Sequence, residues 1–257
     1  GWSKSAQTPG KLDISMTLGD LVRVDQVALD APGLSLVGDV SLTQSGGLER
    51  ARFTRVRAGR WLDAPVTLVG RGPGAAPRIE VTGGTLDMCT AEFGTGGGGA
   101  AAPQSGPLTL ALDRLQITDT LALTGMRGTF KTQGGLDGNF TGRVNQGAPI
   151  RGRILPQNGR SAVRILGDDA GQVFASAGVL KQARGGDLSL TLLPVGKGGA
   201  FDGKLTVKST RVKDAPAIAA LLNALSIVGL LEQMGGSGIH FQEIEAAFRL
   251  PPSTITP

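Results

Sequence analysis

From Lys11 to Met88 the chain alternates apolar and polar residues in short runs, and glycine, proline or aspartate separates most of them. The runs KLDISMTL, LVRVDQVAL, LSLVGDVSL, LERARFTRVR, APVTLVGRG and PRIEVTGGTLDM read as consecutive antiparallel strands joined by tight turns. Alternation resumes at Leu108 in LTLALDRLQIT, LALTGMRGTF, LDGNFTGRVN, PIRGRILPQ and SAVRIL. Side chains change face at every residue of a strand, so Leu108, Leu110 and Leu112 share one face, as do Val163 and Ile165. Arg114 breaks the pattern ahead of Leu115 and Ile117, which predicts a bulge or register shift there.

Between the two blocks, residues 91–107 are rich in glycine and alanine and read as a flexible loop. The stretch lacks the Lys-Ser/Thr ending that a phosphate-binding loop requires. Further on, residues 168–180 read as a short helix with Asp168 or Asp169 at its cap. Gly185 and Gly186 permit a reversal into a strand carrying Leu188, Leu190 and Leu192. The next strand sets Phe201, Leu205 and Val207 on one face, with Asp202, Lys204, Thr206 and Lys208 on the other.

One segment departs from alternation. After a candidate N-cap at Asp214 and Pro216 in the first turn, Ile218, Leu221, Leu222 and Leu225 recur at helical spacing. Ile227, Val228, Leu230, Leu231 and Met234 continue the apolar run until GGSG. The pattern predicts an apolar helical segment over 214–234, which must rest on an apolar surface. The open face of the sheet is the large partner available, and Ile218, Leu221, Leu222, Leu225, Val228 and Leu231 are the expected contacts. The expected organisation is an antiparallel sheet segment over 1–90, the loop over 91–107, and a second sheet segment with the helical insertion over 108–257. A recurring apolar-x-apolar-x-Gly pattern (LSLVG, VTLVG, LALTG) favours a sheet extended by similar strands, although its spacing is too unequal for a strict repeat.

Composition narrows the function. Forty-one glycines and 14 prolines in 257 residues fit many turns and exclude a helical bundle. The net charge of +5 comes from dispersed basic residues, and no tyrosine is present, so base stacking has little to work with and nucleic acid is not an expected partner. The densest basic run, Glu49 to Arg60, reads as a solvated strand face, with attraction to an anionic surface as the sharper alternative. A single cysteine, Cys89, excludes an internal disulfide. No stretch has the length and apolarity of a transmembrane helix, no secretory signal is evident, and the chain is expected to be a segment of a longer protein.

Catalysis has no foothold. The lone histidine, His240, starts a strand with no nucleophile arranged beside it in sequence. Asp168 and Asp169 lack the further oxygen ligands of a metal loop. No enzyme activity, metal or cofactor is expected. An outer-membrane barrel is disfavoured by the missing aromatic girdle, while a closed sandwich core remains the competing reading of the alternation.

The order DDAG (168–171), GGDLSL (185–190), GKLTVKSTRVKDAP (203–216) and IAALLNALSIVGLLEQMGGSGIHFQEIEAAFRL (218–250) resembles the C-terminal region of the AsmA-like family, the YhdP- and TamB-related bridge-like lipid transport proteins. The resemblance implies a mainly β fold, an extended twisted antiparallel sheet forming a half-pipe. It also implies a location in the periplasm of a diderm bacterium, with an inner-membrane anchor outside this segment. Phospholipid is the implied cargo, and outer-membrane or periplasmic proteins are implied partners. The lipid-groove candidates are then Leu108, Leu110, Leu112, Val163, Ile165, Leu188, Leu190, Leu192, Phe201, Leu205 and Val207. The alternative function is a structural or protein-binding domain that associates through open sheet edges.

Overall fold

The structure is a computed structural model that describes residues 8–17, 23–90, 106–132, 135–157, 159–196, 200–213, 226–231 and 238–250. The chain is mainly β, and it divides into two compact units, residues 1–133 and 134–257. The boundary does not fall at the Gly/Ala-rich stretch expected to separate the segments. Strands on either side of that stretch pair with each other, which draws the second block's first hairpin into the first unit.

In the first unit, β1 (Lys11–Thr17), β2 (Arg23–Ala31), β3 (Leu34–Leu42), β4 (Leu48–Ala58) and β5 (Leu62–Val69) form an antiparallel meander. β6 (Arg78–Thr82) and β7 (Thr85–Asp87) lie end to end beside β5. Both run parallel to β8 (Leu108–Gln116), which turns back into β9 (Ala122–Lys131). The alternation carries through the register. Ile14, Val27 and Leu36 and Leu29 fall among apolar partners on one face, and the rows continue through Val56, Val66, Val81 and Leu110.

The opposite face is charged. Arg55 donates from Nε and Nη2 to Asp63 at 2.8 and 2.7 Å, and Arg57 reaches the same carboxylate at 3.2 Å. The hydrogen bond from Arg55 holds the Asp63 carboxyl below its usual range. A lowered folded-state pKa stabilises the fold above the unfolded value and is lost as pH falls through the folded one. The expected outcome is that Asp63→Asn slightly lowers the urea midpoint at pH 7, and that the difference from wild type is lost as the pH falls through the depressed folded-state pKa of Asp63.

A line of irregularities crosses this unit at one level. β2 carries an extra residue between Val24 and Val27 against β3, and β4 carries one between Phe53 and Val56 that shifts its register against both Val37 and Gly38 of β3 and Ala64 to Val66 of β5. Gly83 and Gly84, both at positive φ, separate β6 from β7, and Gly125 at φ 57° interrupts β9. The irregularity predicted at Arg114 belongs to this line, but no register shift occurs between β8 and β9. Leu112 pairs with Met126 and Arg114 with Thr124, so both strands skip one position together. Such bulges bend strands and re-aim side chains. Leu112 and Leu123 therefore both end up buried although strict alternation separates them.

In the second unit, β10 (Asp137–Val144), β11 (Pro149–Gln157), β12 (Arg160–Gly167), β14 (Asp187–Val195), β15 (Ala200–Val212), β17 (Ile239–Leu250) and β16 (Ser226–Leu231) lie side by side in that order, all antiparallel. The two-residue β13 (Ala183–Arg184) continues β14 along β15 beyond Gly185 and Gly186. The predicted short helix is α1 (Ala170–Ala177). Asp169 caps it, accepting from the Gln172 N–H at 2.9 Å, and Gly178 ends it at φ 73°.

The apolar helix expected over 214–234 is corrected in its second half. Residues 226–231 form the strand β16, paired with β17 from Ser226–Glu245 to Leu231–His240. Ile227 and Val228 are β-branched and Gly229 follows them, all weak helix formers, while β17 offers a sheet edge to pair with. Val228 and Leu231 are thus strand residues. Ile218, Leu221, Leu222 and Leu225 lie outside the described residues.

Candidate functional site

The candidate site is the apolar face of each sheet. In the first unit, Leu108, Leu110 and Leu112 share a face of β8, opposite Phe130, Gly128 and Met126 of β9. Ile79 and Val81 of β6 flank Leu108 and Leu110 on the other side. Leu112 is buried, whereas Leu108 and Leu110 are half-buried.

The second unit gathers the remaining strand candidates on one face. Val163 pairs with Leu192 and Ile165 with Leu190, and Leu190 pairs in turn with Leu205. Leu188 pairs with Val207, and Val207 with Ile244. Phe201 lies opposite Pro194 and Leu250, with the Arg160 guanidinium 5.1 Å from its ring centre. On the reverse face, Arg249 binds Asp202 at 2.7 Å and Lys204 binds Glu245 at 2.7 Å. The sheet is apolar on one side and ion-paired on the other.

Burial along this face is uneven. At one end Val173 and Phe174 of α1 cover a core of Ala183, Leu188, Val207, Val212, Phe241 and Ile244. Away from α1 the cover stops among the described residues. Val163, Ile165, Leu190, Leu192 and Leu205 are only half-buried, and Phe248 and Leu250 are 37% and 41% exposed.

Several members of the face escaped the sequence reading. Phe140, Ile150 and Ile154 extend it over β10 and β11, and Ile244, Ala246 and Phe248 extend it over β17. Their alternation was visible in IRGRIL and EIEAAF. The glycines between them were not interpretable without the register. Phe140 lies directly opposite Gly152, Phe248 opposite Gly203, and in the first unit Phe53 opposite Gly38. A methyl group at Gly152 would meet the Phe140 ring at 2.2 Å, and one at Gly203 would meet the Phe248 ring at 2.4 Å. Each glycine leaves room for a phenyl ring to lie across its backbone.

The other candidate chemistry is modest. Asp168 pairs with Arg151 at 2.8 Å, and Asp169 is spent on the helix cap. A shallow depression of about 160 Å³ on the charged face is lined by Arg151, Asp168, Asp187, Ser189, Thr206 and Lys208, which mixes both signs of charge. Burial pushes the Cys89 thiol up, and the Asp87 carboxylate adds to the effect, so the thiol is held protonated. Among the described residues no cluster of His, Cys, Asp and Glu has a metal-site arrangement, and no helix is long and apolar enough to cross a membrane. No protein-family model, no curated protein and no solved structure matches this chain.

Proposed function

We propose that this chain is a periplasmic segment of a lipid-transport protein, in which an apolar β-groove shields phospholipid acyl chains moving between inner and outer membranes. The reading rests on one observation above others: an aliphatic face whose rows run strand to strand through Ile154, Val163, Leu192 and their neighbours, half-exposed, over a reverse side held by ion pairs. Hydrocarbon is the natural complement of such a face. Each methylene transferred from water onto it contributes about 0.8 kcal/mol, so two acyl tails lying across several strands are held without any polar contact. Headgroups stay in solvent at the rim. In the longer protein an inner-membrane anchor tethers the segment, and outer-membrane or periplasmic proteins receive it. The chemistry needs neither metal nor nucleophile.

The test is lipid extraction from the purified chain after incubation with phospholipid vesicles, read by mass spectrometry. Wild type is expected to retain phospholipid. Leu190→Asp with Leu192→Asp is expected to lose most of it while keeping a β-type circular dichroism spectrum. Lipid-free wild type, or a double variant that binds as well as wild type, would defeat the proposal. A second reading, association through a sheet edge, is favoured by β1, whose apolar side chains are the most exposed of any strand described.

A further inference from the structure

β1 leaves both a backbone edge and an apolar stripe without a partner among the described residues. Among the described residues, the one strand register that β1 has is with β2. Leu12, Ile14 and Met16 are 56%, 50% and 53% exposed, and they lie on the face that continues through Leu29, Val27 and Val24. Folded proteins ordinarily blunt such an edge with proline, a bulge, an inward-pointing charge or a cover. β1 contains no proline. At its one register shift, Ser15 pairs with Gln26 and Met16 with Val24, so the extra residue belongs to β2 and β1 stays regular. Its charges, Lys11 and Asp13, point to the opposite face and pair with each other at 2.9 Å.

We propose that β1 is a dimerisation strand, and that a second copy of this chain pairs with it antiparallel, β1 to β1, about a twofold axis at Ile14. The strand is self-complementary in that register. Ile14 faces its own copy, Leu12 faces Met16, Asp13 faces Ser15 and Lys11 faces Thr17. A slip of one residue would join the apolar face of one copy to the charged face of the other. A slip of two residues in one direction would set Asp13 against its own copy, and like charges directly opposite destabilise a sheet. The register centred on Ile14 extends the apolar face across both copies without a charge conflict and is the one that pairs all seven residues of β1, whereas a slip that centres on Ser15 leaves Lys11 and Leu12 unpaired within the strand. This pairing does not depend on lipid, and it holds or fails separately from the transport reading.

The test uses lipid-free protein in two measurements. In a Cys89→Ser background, oxidised Ile14→Cys is expected to migrate as a disulfide-linked dimer on a non-reducing gel. Val37→Cys, exposed on the other face of β3, is expected to remain monomeric. By light scattering, wild type is expected to be a concentration-dependent dimer. Ile14→Lys is expected to raise its dissociation constant by at least about tenfold, with an unchanged unfolding midpoint at concentrations where both chains are monomeric. Wild type monomeric at every concentration would overturn the proposal, as would a dimer that persists in Ile14→Lys, or equal cross-linking at positions 14 and 37.

Discussion

Gly84→Ala is expected to cost about 2–5 kcal/mol of folding stability, the sum of left-handed backbone strain and a steric overlap that the strand cannot relax. Gly84 sits at φ 76° between β6 and β7. A Cβ there would lie 2.3 Å from the Asp63 carbonyl oxygen and 2.6 Å from Cα of Ala64, both backbone atoms of the neighbouring strand. The residue is also pinned from the other side. Its N–H donates to Asp113 Oδ2 at 2.8 Å, and its carbonyl accepts from the N–H groups of Asp113 and Arg114. Moving away from Asp63 would crowd Gly84 against β8 and distort these bonds.

Gly46 supplies the control. It has φ 78°, and nothing lies within 4 Å of its hypothetical Cβ, so Gly46→Ala carries only the conformational cost, about 1–2 kcal/mol. Urea unfolding of the two variants separates the terms. If they lose the same stability, the close approach at Gly84 contributes nothing and the tight joint between β6, β5 and β8 is looser than described.

That joint also shows where the sequence ran out. The strands were legible because alternation is local: apolar side chains at every second residue name a half-buried strand whatever its neighbours do. The helix α1 was legible because Asp168 and Asp169 offer a cap at its start, while which of the two caps it, and that Gly178 ends it, came from the structure. The line of bulges was not. At Arg114 the alternation breaks, but a break in one strand does not say whether its partner breaks too, and here Gly125 compensates and the register survives. The parallel pairing of β6 and β7 with β8 was equally hidden, because it joins residues on either side of a long glycine-rich stretch. Val228 and Leu231 were assigned to a helix because apolar runs of that length fit either period. The free edge of β17, a tertiary demand, decided in favour of a strand. For the candidate site, the faces were readable strand by strand, while the Phe–Gly pairs that floor them needed the register.

Phe241→Ala is expected to cost about 3–5 kcal/mol, the usual range for emptying a fully enclosed aromatic site. Phe241 is 0% exposed, in the cluster that α1 closes with Leu188, Val207, Val212 and Ile244. Phe248 lies on the same strand and the same apolar side of the second unit, yet it is 37% exposed and rests over Gly203. Removing its ring uncovers a glycine backbone rather than opening a void, so Phe248→Ala is expected to cost about 1 kcal/mol. The transport reading reverses the order for lipid. The core at Phe241 is closed to any ligand, whereas the ring of Phe248 is open floor on which an acyl chain would lie. Phospholipid retained per folded chain should therefore fall in Phe248→Ala and hold in Phe241→Ala under conditions where both remain folded. Equal retention in the two variants would mean that the exposed part of the face holds no lipid, and that its half-burial reflects only the end of the cover provided by α1.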